Sequence, residues 1–185
     1  MILETIVIVI YTVALLMIFA YALAQLNLLF DFSNPNDIPY VTIQLPVYNE
    51  MYVMERLLDN IAKIDYPKDK LEIQVLDDST DETIETTRQH IKKIQATGLD
   101  IQHITRTNRT GFKAGALKEG LKIAKGEYIA IFDSDFLPEE DWLKRTVPYF
   151  KNPKIGVVQT RWGHINRNYS ILTKIQAFAL DVHFT

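Results

Sequence analysis

Apolar residues run along this chain in two rhythms. The first is an unbroken run from Ile6 to Ala24, whose only polar members are Thr12 and the tyrosines Tyr11 and Tyr21. No charge falls between Glu4 and Asp31. About 20 consecutive apolar residues match the length of a bilayer-spanning helix. Residues 1–30 are therefore expected to form one transmembrane helix, making the protein integral to a membrane, with lipid as a partner. A secretory signal is the rival reading, because Ala22-Leu23-Ala24 resembles a cleavage site. Against it, the start carries Glu4 and no basic residue. A helix buried in a globular domain would show a polar face. Loop charges do not orient the span, since the first basic residue is Arg56. Residues 31–39, DFSNPNDIP, are polar with two prolines and read as a linker.

The second rhythm alternates short apolar strands with longer amphipathic stretches. Strands are expected at Val41 to Leu45, Glu72 to Leu76, Ile101 to Ile104, Tyr128 to Phe132 and Ile155 to Thr160. Helices are expected at Glu50 to Ile64, Asp81 to Ala96, Lys113 to Ala124 and Glu139 to Phe150. The first helix has helical spacing in Val53, Leu57, Leu58, Ile61 and Ile64 and stops at Tyr66-Pro67. Gly126 closes the third. Such alternation predicts an α/β fold over residues 40–165, with a mostly parallel sheet and helices on both faces. Residues 166–185 carry one more helix from Ser170, with Ile171, Leu172, Ile175, Phe178, Ala179 and Val182 on its apolar side. In open parallel sheets, ligands sit beyond the carboxyl ends of the strands.

Composition narrows the picture only a little. The 185 residues are 48% hydrophobic, enough for a sizeable core. A net charge of -3 offers no basic field, so nucleic acid is not an expected partner. The absence of cysteine excludes disulfides and thiolate metal sites.

The candidate chemistry lies where the strands end. Tyr128 to Phe132 runs into Asp133-Ser134-Asp135. In an extended chain, residues two apart face the same side. Asp133 and Asp135 are thus expected to converge, and two hard oxygen ligands suit Mg²⁺ or Mn²⁺ shared with substrate phosphates. Without a cation, two carboxylates in one crevice repel. The first strand ends in Pro46-Val47-Tyr48-Asn49-Glu50, where Tyr48 offers an aromatic surface and Glu50 an acceptor. The plain alternative is a loop with Asn49 capping the helix. The second strand ends in Asp77-Asp78-Ser79-Thr80-Asp81. Adjacent aspartates point opposite ways, so Asp78 is the candidate for a ligand and Thr80 or Asp81 for the helix cap. After the third strand, Arg106, Arg109 and Lys113 lead into a helix with Gly111 between them. That is either an anion seat or a solvated charged loop. In the tail, Trp162 beside Arg161 reads either as a carbohydrate platform contacting an acceptor or as a residue packing the sheet edge. His164 and His183 lack a ligand pattern.

Taken together in this order, PVYNE, DDSTDET, GFKAGAL and DSDF resemble glycosyltransferase family 2, which has the Rossmann-like GT-A fold. The stretch QTRWGHINRNYSILTKIQAFALDVHF is similar to the membrane-bound cellulose-synthase-like branch, including glucomannan-synthase relatives. The resemblance implies a UDP- or GDP-sugar donor, inversion at the anomeric carbon, and a glycan or lipid acceptor. It implies that Pro46, Tyr48, Glu50 and Asp78 seat the nucleotide and that Lys113 lies beside it. Asp133, Ser134 and Asp135 meet the diphosphate, with Asp133 and Asp135 binding Mg²⁺ or Mn²⁺. It also implies a cytoplasmic globular domain. The family's general-base aspartate and its Q-x-x-R-W motif are expected beyond Thr185. Gln159-Thr160-Arg161-Trp162 has one residue too few to be that motif. On this reading the chain is the N-terminal, donor-binding part of a longer enzyme, and none of its residues is the catalytic base. The alternatives are an inactive nucleotide-sugar-binding module or a nucleotidyltransferase. The latter normally shows a glycine-rich phosphate loop after the first strand, which PVYNE lacks.

Overall fold

A computed structural model describes residues 2–30, 38–161 and 163–183. Two compact units divide the chain, Met1–Pro148 and Tyr149–Thr185. The first opens with helix α1 (Ile2–Phe30) and continues through β1 (Val41–Val47), α2 (Met51–Ile61), β2 (Leu71–Asp77), α3 (Thr83–Gln95), β3 (Asp100–Thr105), α4 (Phe112–Leu121), β4 (Tyr128–Ile131) and α5 (Trp142–Thr146). The second unit carries α6 (Ile171–His183).

The four strands form one parallel sheet in the order β3-β2-β1-β4. The chain steps outward from β1 to β3 and then returns to the far side of β1. Right-handed crossovers therefore place α2 and α3 on one face and α4 on the other. The first face is apolar. Ile43, Leu45, Ile73 and Val75 pack in one core with Met54, Leu57, Leu58 and Ile61 of α2 and with Ile91 and Ile94 of α3. Each such side chain contributes roughly 1.5–3 kcal/mol on burial.

The face under α4 is polar, although it is equally buried. Thr42 donates to Glu72 Oε2 (2.6 Å), Gln44 to Gln74 Oε1 (3.0 Å), and Gln102 to Glu72 Oε1 (3.1 Å). Buried polar groups persist when paired in this way. The residues that α4 buries are Ala116 and Gly120, both small. At the amino ends of the strands, buried Tyr66 donates to Pro39 O (2.7 Å), which ties down the entry to β1.

Three expectations change. Residues 139–150 are not one helix: α5 ends at Thr146 and a 3-10 turn follows over Val147–Lys151, because Pro148 has no N–H for an α-helical ladder. Residues 155–160 form no strand, since they pair with no strand among the described residues. The transmembrane span and integral membrane location are also corrected. α1 is a helix, but among the described residues no helix is long and apolar enough to cross a membrane. Of the expected linker, residues 31–37 lie outside the described residues.

In the second unit, Ser170 caps α6. Its hydroxyl accepts from Thr173 N (3.1 Å) and its own N–H donates to Thr173 Oγ1 (2.9 Å), a reciprocal cap at the expected helix start.

Candidate functional site

The reversal of strand order around β1 opens a crevice between the carboxyl ends of β1 and β4, the usual ligand position in such sheets. A cavity of about 460 Å³ lies there. It is lined by Pro46, Tyr48 and Glu50 from the end of β1, by Asp78 after β2, by Arg109 and Lys113 from the β3–α4 segment, and by Asp133, Ser134 and Asp135 after β4. All eight residues proposed for the nucleotide sugar from the sequence line this one cavity. Arg161 belongs to the second unit, where it donates to Asp181 (2.8 Å). Asp181 is also contacted by Arg167 at 3.1 Å. These arginines hold the Asp181 carboxyl below its ordinary range, Arg161 most strongly through its hydrogen bond. Trp162 lies outside the described residues.

The local structure explains how each wall is held. Tyr48 and Glu50 flank Asn49, whose φ of 56° puts it in the left-handed region that asparagine tolerates. Asn49 does not cap α2. Its N–H donates to Ser79 Oγ (2.9 Å) and its Oδ1 accepts from Thr80 N (2.9 Å), so the loop after β1 is tied to the loop after β2. The residue at the cap of α3 is Glu82, without a side-chain cap bond, and Asp81 just before it accepts from Thr83 N through Oδ1 (3.0 Å).

The adjacent aspartates do point opposite ways, and each has a partner. Asp77 has a fully buried side chain and accepts from His103 Nε2 (2.8 Å) and Ser79 N (2.9 Å). Burial pushes its carboxyl up, but the interactions with His103 and Ser79 outweigh this and hold it low. Asp78 receives a two-pronged contact from Arg106, with Nε at 2.8 Å from Oδ1 and Nη2 on Oδ2. That pairing raises the guanidinium further above its ordinary value.

The basic segment brings Arg109 and Lys113 to the cavity wall. Gly111 (φ 76°) and Phe112 (φ 50°) turn the backbone into α4, whose first turn supplies Lys113 and then Ala116 to the cavity wall. Free N–H groups at a helix start favour negative charge. Lys113 bonds Asp133 across the cavity, and the Arg109 guanidinium stacks 3.2 Å from the centre of the Tyr48 ring. The expected alternation of Asp133 and Asp135 along an extended strand is replaced by a turn. β4 stops at Ile131, and Phe136 N donates to Asp133 O (3.0 Å), so a tight turn brings both aspartates to the cavity. Among the described residues no three His, Asp or Glu cluster to enclose a cation. Two carboxylates fit an ion that takes its remaining ligands from a phosphate and water.

A family model described as "Glycosyl transferase family 2" matches residues 42–181, which include every strand and the whole cavity wall. The chain belongs to glycosyl transferase family 2. It is 46% identical over 151 residues to a probable glucomannan 4-beta-mannosyltransferase of Oryza sativa subsp. japonica, covering 79% of this chain and 26% of that protein. Among solved structures it resembles the mannosyltransferase PcManGT from Pyrobaculum calidifontis in complex with GDP-Man and Mn²⁺. There the TM-score is 0.61 and the identity 38%, over 69% of this chain and 38% of that one. A structure of S. aureus TarS 1-349 in complex with UDP matches with a TM-score of 0.54 and 25% identity, over 68% of this chain and 40% of that one. The chain thus spans roughly a quarter to a third of the length of the curated relatives it matches. The GT-A-like parallel sheet with helices on both faces follows both from these neighbours and from the topology.

The sequence singled out the Arg106–Lys113 segment but chose only Lys113 from it. The structure adds Arg109, which its place three residues after Arg106 did not distinguish from a solvated charge. It also adds Val47, Leu76 and Ala116, apolar residues that are indistinguishable from core in a linear pattern.

Proposed function

We propose that this cavity binds the nucleotide diphosphate of a mannose donor, GDP-mannose first, and that the chain carries the donor side of a mannosyltransferase acting on a glycan. The observation that carries this is the convergence in one 460 Å³ cavity of an aromatic face, a cationic pair and two adjacent-turn carboxylates. Tyr48, with Glu50 and Asp78 nearby, is the seat for the base. Arg109, Lys113 and the start of α4 face the phosphates with positive charge. Asp133 and Asp135 would hold Mg²⁺ or Mn²⁺, which neutralises the charge developing on a diphosphate leaving group. In that state Lys113 passes from Asp133 to the donor. Support for guanosine and manganese comes from PcManGT, which binds GDP-Man and Mn²⁺, and support for mannose on a glycan from the names of the plant relatives.

Calorimetric titration of GDP, GDP-mannose and UDP, each with and without Mn²⁺, tests this on the chain and on Asp135→Ala. GDP and GDP-mannose are expected to bind at least tenfold more tightly with Mn²⁺, and Asp135→Ala to lose that gain. Metal-independent binding, or tight binding retained in Asp135→Ala, would sink the assignment of the two aspartates.

A further inference from the structure

Asp77 sits one residue from the cavity yet does not line it, and its carboxylate is buried between two strands and a loop. His103 of β3 closes one side of it, and Ser79 supplies its N–H on the other. The Ser79 oxygen then accepts the N–H of Asn49, the residue held at φ 56° between Tyr48 and Glu50. A left-handed residue reverses the local backbone path, which lets the side chains on both sides of it line the same cavity. An asparagine there is strained unless its surroundings hold it. Here a backbone N–H and a side-chain oxygen are both held from the β2–α3 loop.

We infer that Asp77 is a positioning residue: by accepting the Ser79 N–H it sets the Ser79 oxygen against the Asn49 N–H, holds Asn49 left-handed and so aims Tyr48 and Glu50 into the cavity. His103 fixes the carboxylate from behind. This rests on the donor reading above and assigns a task to the aspartate of the pair that does not line the cavity. The effect is confined to the wall carried by β1. Asp133 and Asp135 hang from the turn after β4, which is closed by its own Phe136 N–H.

The test compares two probes, GDP and inorganic pyrophosphate, each with Mn²⁺, on the wild-type chain, Ser79→Ala, Ser79→Thr and Asp77→Asn. Ser79→Ala is expected to weaken GDP about five- to tenfold, the scale of one lost hydrogen bond, and to leave pyrophosphate within twofold. Ser79→Thr, which keeps the hydroxyl, should bind GDP within twofold of wild type. Asp77→Asn should resemble Ser79→Ala if it folds, and if it unfolds the Ser79 pair decides. GDP binding unchanged in Ser79→Ala, or GDP and pyrophosphate lost together, would overturn the inference. Failure of the wild-type chain to bind GDP would overturn the donor reading and this inference with it.

Discussion

Arg106 shows how much one side chain holds at this site. Its guanidinium donates to both oxygens of Asp78 and to the carbonyls of Thr110 and Phe112, each at 3.1 Å. It therefore joins the loop after β2 to the left-handed turn that starts α4. Arginine suits this task because its planar fork meets a carboxylate with two parallel bonds, which a lysine ammonium cannot do. The Asp78 and Arg106 side chains are only 6% and 13% exposed, so the pair is screened little by solvent. Arg106→Lys keeps the charge and loses the fork. It is expected to destabilise the fold by about 1.5–3 kcal/mol, seen as a lower urea midpoint with an unchanged slope. A midpoint equal to wild type would show that the charge alone suffices. Residue-scale reading of the sequence placed Asp78 at the cavity but left its carboxylate open for a ligand. The partner that occupies it lies 28 residues away on another loop, and nothing local to Asp78 announces it.

At the scale of elements, α4 is the helix whose sequence makes sense only in place. Phe112–Leu121 contains two glycines, which weaken an isolated helix by roughly 1 kcal/mol each. A Cβ on Gly115 would stand 2.0 Å from the Thr110 carbonyl oxygen and 2.9 Å from Arg106 Nη1. The helix can therefore begin beneath its own entry loop only because Gly115 has no side chain. Gly115→Ala is expected to lose stability by about 1–3 kcal/mol despite the better helix propensity, and to weaken GDP binding because Arg109 and Lys113 ride on the displaced segment. Chemical denaturation and the GDP titration report the two effects separately. A more stable variant would mean that the loop yields at no cost. The elements at the other end were less legible. Residues 155–160 are apolar enough for a strand, but a strand exists only where a neighbour takes its hydrogen bonds, and composition does not supply the neighbour. The helix over 139–150 fails at Pro148 for the opposite reason, a local defect that sequence does declare.

For the whole molecule, the four strands and three covering helices of the sheet converge on one crevice, so ligand binding and fold stability are linked. A ligand that binds only the folded chain at 100 times its Kd stabilises it by about 2.7 kcal/mol. For a chain of this size that is roughly 5–10 °C in Tm. GDP-mannose with Mn²⁺ at such concentrations should raise Tm by that amount, and EDTA should return it to the ligand-free value. A rise that survives EDTA would place the donor's affinity outside the Asp133–Asp135 turn. Read alone, the chain specifies the parallel α/β layering, the family resemblance, and eight of the twelve residues that line the cavity. Each of these follows from local periodicity or from short motifs at strand ends, and both are written in consecutive residues. Only the folded chain shows which carboxylate faces which cation, that Arg109 lies on Tyr48, and that Asp77 is buried behind the cavity wall against His103. Those outcomes depend on pairings between residues that the fold, and not the chain order, makes neighbours.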